Sequence, residues 1–296
     1  MRLSLRKWGT LLILSVIWGS SYILIKKGLT GLSPIELGSL RVIITTILIA
    51  PIGYNKLKYI PIQKMKWVAF SAFVGSFFPA YLFAFAETEI SSSITAVMVS
   101  LTPLFTLLIS VIIFKEELLK KQVFGVIIGF LGIVVLINNE LLSSSFSILY
   151  VMFIVLAAFC YAINANVLKY KLPNIPALGI VFMSFLFMFF PAFVVLLFSN
   201  FPFQDFTSDP KILESIIYII ILALFGTAIA KVLYIKLLAI STPVFSVSTT
   251  YLMPIVAIFW GLLDGEEFKL TQFIGTLIIL TGVYLVTKKK TSNKTP

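Results

Sequence analysis

The sequence predicts an all-α polytopic membrane protein, with ten transmembrane helices arranged as two inverted five-helix repeats. Three observations lead there. Of 296 residues, 59% are hydrophobic and 12% are charged, with a mean hydropathy of +1.07; soluble domains carry about 25% charged residues. Ten apolar stretches approach the roughly 20 residues needed to cross a bilayer: 9–26, 35–53, 66–86, 92–114, 121–138, 147–168, 176–198, 212–235, 243–263 and 270–287. The chain also repeats itself at an offset of about 150 residues, and a repeat of that size settles architecture ahead of local detail.

The repeat is plainest in Ser93–Gly132 and Val244–Gly282. Each copy has an apolar span with a central proline (Pro103, Pro254), then a Glu-Glu pair (Glu116–Glu117, Glu266–Glu267). Each runs on through a glutamine (Gln122, Gln272) into a second apolar span with matched glycines, Gly125 with Gly275 and Gly132 with Gly282. Gly75 to Pro103 and Gly226 to Pro254 are both 28 residues, so the alignment extends upstream without a gap. Ile279, opposite Gly129, is the main departure. The repeats divide the chain into 1–142 and 143–296. Five crossings per half is an odd number, so the second half must lie upside down relative to the first.

Taken in order, span 9–26 follows Arg2, Arg6 and Lys7, as the core of a signal peptide would. Its apolar core is long and no small-x-small cleavage site follows, so it reads as a retained helix. Span 35–53 carries Arg41 about one and a half turns inside one end, and span 212–235 carries Lys231 at a similar depth. Spans 92–114 and 243–263 hold the paired prolines. Span 121–138 has Gly125, Gly129 and Gly132 at i, i+4, i+7, a pattern of close helix contact within the chain or in a homodimer. Span 147–168 contains Cys160 and the run Tyr161 to Asn166; a lone cysteine there is a packing residue and no disulfide framework. Ser199–Lys211 is the longest connection on its side, and 270–287 completes the set.

Orientation follows from the bases. Of the 23 Lys and Arg, 17 fall at the termini and in the loops on their side, 4 fall on the other, and Arg41 and Lys231 lie within spans. Positive charge stays inside, so both termini are expected in the cytoplasm of a bacterial inner (plasma) membrane. The net charge of +11 and pI near 9.6 therefore reflect loops facing anionic lipid, and nucleic acid is excluded as a partner. The absence of histidine removes the commonest metal ligand and proton relay. With no paired aspartates in a cytoplasmic loop, a membrane-embedded enzyme is disfavoured. No Gly-x-x-x-x-Gly-Lys-Ser/Thr motif occurs and no soluble domain is expected, so neither cofactor nor nucleotide motor is implied.

Several positions are candidates for a solute pathway. Pro103 and Pro254 free the carbonyls of Val99 and Thr250, beside Ser100, Thr102, Thr249, Thr250 and Tyr251. These kinks are either packing features satisfied by hydroxyls or the lining of a wet cavity. Arg41 and Lys231 are ionisable groups within spans; for Arg41, pairing with Glu36 or loop carbonyls weighs against substrate contact, and Lys231 has room beside Ala228 and Ala230 to face a cavity. Trp18, Ser21 and Tyr22 in the first span, and Tyr161, Asn164 and Asn166 in the sixth, add polar and small residues at comparable places. All twelve acids fall in loops or last turns of spans. That weighs against proton-driven exchange of a cationic solute and favours a carboxylate-bearing, zwitterionic or neutral one. The Glu-Glu pairs read as capping and loop charges.

With the run IWGSSYILIKKG in the first span, Arg41 in the second, and the Pro-then-Glu-then-Gln-x-x-Gly pattern in both halves, the chain resembles the EamA-like branch of the drug/metabolite transporter superfamily over nearly its whole length. The resemblance implies two inverted five-helix repeats around a cavity lined by spans 1–4 and 6–9, with spans 5 and 10 peripheral. It also implies secondary-type movement of a small organic molecule, often export of amino acids or related compounds. A flippase for a lipid or lipid-linked intermediate is the alternative. The expected partners are a small-molecule substrate, the lipid bilayer and, through the glycine stripe, a second copy of the chain.

Overall fold

The structure, a computed structural model, describes residues 2–115, 120–142, 148–203 and 209–287. Glu116, Glu117, Asp205 and the C-terminal lysines lie outside the described residues. Ten helices succeed one another: α1 Arg2–Gly28, α2 Pro34–Gly53, α3 Ile62–Ala86, α4 Ser92–Ile113 and α5 Lys120–Leu142 form the first half. The second half holds α6 Ile148–Lys171, α7 Ala177–Leu197, α8 Pro210–Ala239, α9 Pro243–Leu263 and α10 Leu270–Thr287. Eight of them are long and apolar enough to cross a bilayer, and α10 carries a shorter apolar stretch, Leu270–Leu285. Among the described residues every regular element is helical. That is the solution in which each backbone polar group is satisfied within its own segment.

Local chemistry sets the helix starts. Ser33 and Glu36 form a capping box ahead of Pro34: the Ser33 amide donates to Glu36 Oε2 at 2.7 Å, and the Glu36 amide donates back to Ser33 Oγ. Asp209 caps α8 and Thr242 caps α9, each followed by a proline at the first helical position. Gln272 accepts from the Lys269 amide at 2.8 Å before α10, which gives one of the two matched glutamines a structural role.

The packing shows the inversion. α1 lies against α8 and α9, just as α6 lies against α3 and α4, while α2–α7, α4–α9 and α5–α10 pair across the halves. Each of these principal contacts between halves therefore has its image or is its own. The α5–α10 seam makes the operator explicit. A Cβ at Gly132 would meet Ile279, and one at Gly282 would meet Gly129. Exchanging repeats turns either pair into the other, and the numbers run in opposite directions along the two helices. The glycine stripe thus serves a contact within the chain, and Ile279 fills the space that Gly132 leaves.

Spans α3 and α8 each change pitch at the matched glycine. Phe73–Phe77 around Gly75 and Leu222–Ile229 around Gly226 are π-helical. Spans α4 and α9 break at their prolines: the helical ladder stops at Val99 and resumes at Thr102, and Ser248–Tyr251 is 3₁₀ before Met253. Hence four helices are irregular at corresponding depths, and all four surround one space.

Candidate functional site

That space is a cavity between the halves, with about 750 Å³ of empty volume, mouth included. Its wall is itself two-fold related. Trp18 packs on Tyr234 at 5.4 Å between ring centroids, and Tyr161 packs on Phe83 at 5.8 Å; exchanging repeats maps one pair onto the other. Trp18 Nε1 donates to the Gly226 carbonyl at 2.9 Å, and Lys231 Nζ donates to the Gly75 carbonyl at 2.6 Å. A π turn leaves a backbone carbonyl short of its helical donor. Each half meets the need of the other with a side chain.

The two proline kinks are satisfied by hydroxyls. The Val99 carbonyl accepts from Thr102 Oγ1 at 2.7 Å, and the Thr250 carbonyl accepts from Ser100 Oγ at 2.9 Å. Val99, Thr102, Thr249 and Thr250 nonetheless form part of the cavity wall, so both readings of the kinks describe the same residues. Ser100, Pro103, Tyr251 and Pro254 stand behind it: Ser100 is fully buried, and Tyr251 Oη turns to the Val283 carbonyl of α10 at 3.3 Å.

Of the residues singled out from sequence, Trp18, Ser21, Tyr22, Arg41, Thr102, Asn164, Lys231, Thr249 and Thr250 line the cavity together. Asn164 accepts from Ser71 Oγ at 2.5 Å beside Gly75, where a side chain would collide with it. Asn166 is structural, bonded to Ser110 Oγ and to the Ala162 carbonyl. Pattern reading missed Ile25, Phe83, Tyr234, Val247 and Met253, which also line the wall. For two of them repeat position is a sequence signal, since Phe83 and Tyr234 are separated by the same 151 residues as Gly75 and Gly226.

The expected pairing of Arg41 with Glu36 does not occur. Glu36 is committed to the capping box, one turn nearer the helix end, while Arg41 Nε donates to Thr227 Oγ1 at 3.0 Å across the halves. Among the described residues neither Arg41 nor Lys231 is in an ion pair.

Ion pairs gather at the end of the bundle where α1 finishes, called here the far end. Lys26 reaches Asp264 at 2.8 Å and Glu266 at 3.1 Å, and Lys27 also pairs with Asp264. Glu266 further accepts from the amides and hydroxyls of Ser92 and Ser93, at the start of α4. One of the expected capping charges thus caps a helix of the opposite half and latches the two together. Burial works against both carboxylates, but the Lys26 and Lys27 partners of Asp264, and the serines and Lys26 around Glu266, hold each below its ordinary value. A position at the end of a span, where Glu87 lies as expected, does not by itself keep an acid exposed. Glu87 sits just past the last turn of α3, yet it is only 7% exposed, because α1, α4 and the α9–α10 connection close over that end.

The model of the EamA-like transporter family matches residues 7–138 and 148–288, once in each half. Over 293 residues the chain is 28% identical to an "Uncharacterized transporter" of Archaeoglobus fulgidus, covering 97% of this chain and 100% of that one. It is 26% identical over 290 residues to a "Probable amino-acid metabolite efflux pump" of Escherichia coli K12, covering 95% and 94%. It is 27% identical to an "Uncharacterized inner membrane transporter YedA" of the same organism, covering 96% and 91%. A solved structure described as "Crystal structure of protein" shares the fold at a TM-score of 0.62 and 17% identity, covering 97% of both chains.

Proposed function

The chain belongs to the EamA-like transporter family, and from that premise we propose that it exports a small organic metabolite by alternating access between its two halves. The substrate is an amino acid or a related carboxylate-bearing or neutral solute. One observation carries the reading: two basic side chains, Arg41 and Lys231, share the wall of a cavity that also holds Trp18, Tyr22, Phe83, Tyr161 and Tyr234, and among the described residues no carboxylate is paired to either. Buried cations without a counter-ion are costly, and a solute carboxylate supplies one through charge-assisted hydrogen bonds. Each cation presently bonds a neutral oxygen of the opposite half, Thr227 Oγ1 or the Gly75 carbonyl. A carboxylate entering the cavity would draw them away and loosen contacts between halves.

Symmetry adds support. The 151-residue offset places Ala80 opposite Lys231, so the scaffold does not require a base there. The relative named as an amino-acid metabolite efflux pump points to the same class. Movement is assigned to the π turns and proline breaks, where the helical ladders are already interrupted. The inner membrane is the proposed location, with the termini cytoplasmic and the far end outside.

The test is a panel of radiolabelled amino acids and metabolites in proteoliposomes, with and without a pH gradient. At least one carboxylate-bearing solute should move saturably, and the double variant Arg41→Ala, Lys231→Ala should abolish it. Unimpaired movement by that variant refutes the assignment of the two cations. Silence across the panel favours the lipid flippase.

A further inference from the structure

Glu87, the buried acid at the far end, is an ionisable group for which solute binding gives no account. Both Glu87 oxygens are shielded from solvent, and neither has a hydrogen-bond partner among the described residues. An ionised carboxylate so placed has no water, and only the Lys26 backbone amide lies near enough to favour it weakly, so it bears a cost a neutral acid escapes. The titratable groups facing it are Tyr22 and Lys26 from α1, Arg41 from α2, and Glu266 from the α9–α10 connection. From α6, Tyr161 faces Arg41 and Tyr22. α4 presents Ser92 and Ser93, whose hydroxyls are spent on Glu266. Among the described residues no cation reaches ion-pair distance of Glu87, and Lys26 is turned to Asp264 and Glu266 instead. Burial, reinforced by the nearby Glu266, pushes the Glu87 carboxyl well above the usual range, with Arg41 and Lys26 only partly offsetting it.

We propose that Glu87 is a proton-binding site tied to the far-end latch: it holds its proton while Lys26 pairs with Asp264 and Glu266, and releases it when the latch opens. Glu87 and Lys26 belong to the first half, Asp264 and Glu266 to the second. Separation of the halves at this end strips Lys26 of its partners and admits water. The O–H bond of Glu87 then breaks, the proton passes to that water, and the carboxylate left behind takes the Lys26 ammonium as counter-ion. Closure reverses each step. By linkage, acid on the far side favours the latched form. The inference deepens the transport reading and rests on it for the opening motion. It also supplies the proton site that acid positions in the sequence argued against.

Infrared pH titration of the full-length protein in lipid nanodiscs tests the proposal without any solute. At neutral pH the wild-type protein should show the carbonyl stretch of a protonated carboxyl. Glu87→Gln should lose that band while melting at the wild-type temperature; should this variant not fold, Glu87→Asp should retain the band with a displaced frequency. Asp264→Asn, which weakens the latch, should lower the midpoint of the band by a unit or more, a tenfold weaker hold on the proton. A wild-type protein without the band, a band that survives Glu87→Gln, or an unmoved midpoint in Asp264→Asn overturns the proposal. Proteoliposomes that move no solute while Glu87 titrates as stated would remove the transport reading and leave the proton site standing. Transport with an unprotonated Glu87 would do the reverse.

Discussion

Ser100 Oγ donates to the carbonyl of Thr250 at 2.9 Å, and Thr250 is the residue whose helical donor Pro254 removes. A hydroxyl at the kink of one half therefore repairs the broken ladder of the other. Ser100→Ala leaves that buried carbonyl unsatisfied and should cost about 1 kcal/mol. Thermal melting in detergent is the measurement, with Ser100→Thr expected to recover most of the loss. An unchanged melting temperature for Ser100→Ala would show that water or another donor takes over.

Lys231 should govern the choice of solute more than stability. Lys231→Met keeps the apolar stem and removes the charge. It should weaken transport of carboxylate-bearing solutes by tenfold or more, the range of one charge-assisted hydrogen bond, about 1.5–3 kcal/mol, and leave neutral solutes nearly unaffected. Comparing initial rates for an amino acid and its amide decides it. Equal losses for both would assign Lys231 to the scaffold.

The α5–α10 seam predicts a contrast between glycines. A Cβ on Gly282 would press on backbone atoms of Gly125 and Gly129, which cannot rotate away, whereas one on Gly9 meets nothing within 4 Å. Gly282→Ala should destabilise by about 1–3 kcal/mol, the usual cost of overpacking. Gly9→Ala should be neutral or stabilising by up to about 1 kcal/mol through helix propensity. Melting temperatures of the two variants, measured side by side, check the sign of each.

The latch predicts a pH signature. Asp264 and Glu266 are held below their ordinary values, so their stabilising effect is fully present above the unfolded carboxylate range, about 4, and is lost as pH falls through the lower folded values. Wild type should melt higher than Asp264→Asn near neutrality, by a few degrees, and the gap should close in acid. High salt should narrow it as well, because the Lys27 side of the cluster is partly exposed.

Lys115 ends α4 in the left-handed region, at φ 55°, while its repeat counterpart Gly265 adopts φ 81°. A side chain costs about 1–2 kcal/mol in that conformation. Lys115→Gly should therefore raise the melting temperature, and a fall would mean that the lysine side chain holds its neighbourhood by contacts of its own.

Periodicity and repetition determined a great deal by themselves. Ten apolar spans, an offset of about 150 residues and an odd number of crossings per half dictate an inverted duplication, because a bilayer admits few other ways to satisfy the backbone. Most of the polar wall was legible for the same reason: Trp18, Ser21, Asn164, Thr249 and Thr250 occur at comparable places in the two copies. What sequence could not decide is which neighbour each side chain meets across the halves. Arg41 is only one turn and a residue from Glu36 along the chain, yet it bonds Thr227 from the opposite repeat. Glu87 looks peripheral because the end of its helix is visible in the string of residues, while the α1 and α9–α10 segments that bury it are distant in number. Matched glycines announce a close approach, but only folding shows that Gly132 receives Ile279 and Gly282 receives Gly129. Span and fold follow from the solvent and can be read along one chain; the partners of a buried charge follow from the packing of two halves, and only the tertiary structure brings those together.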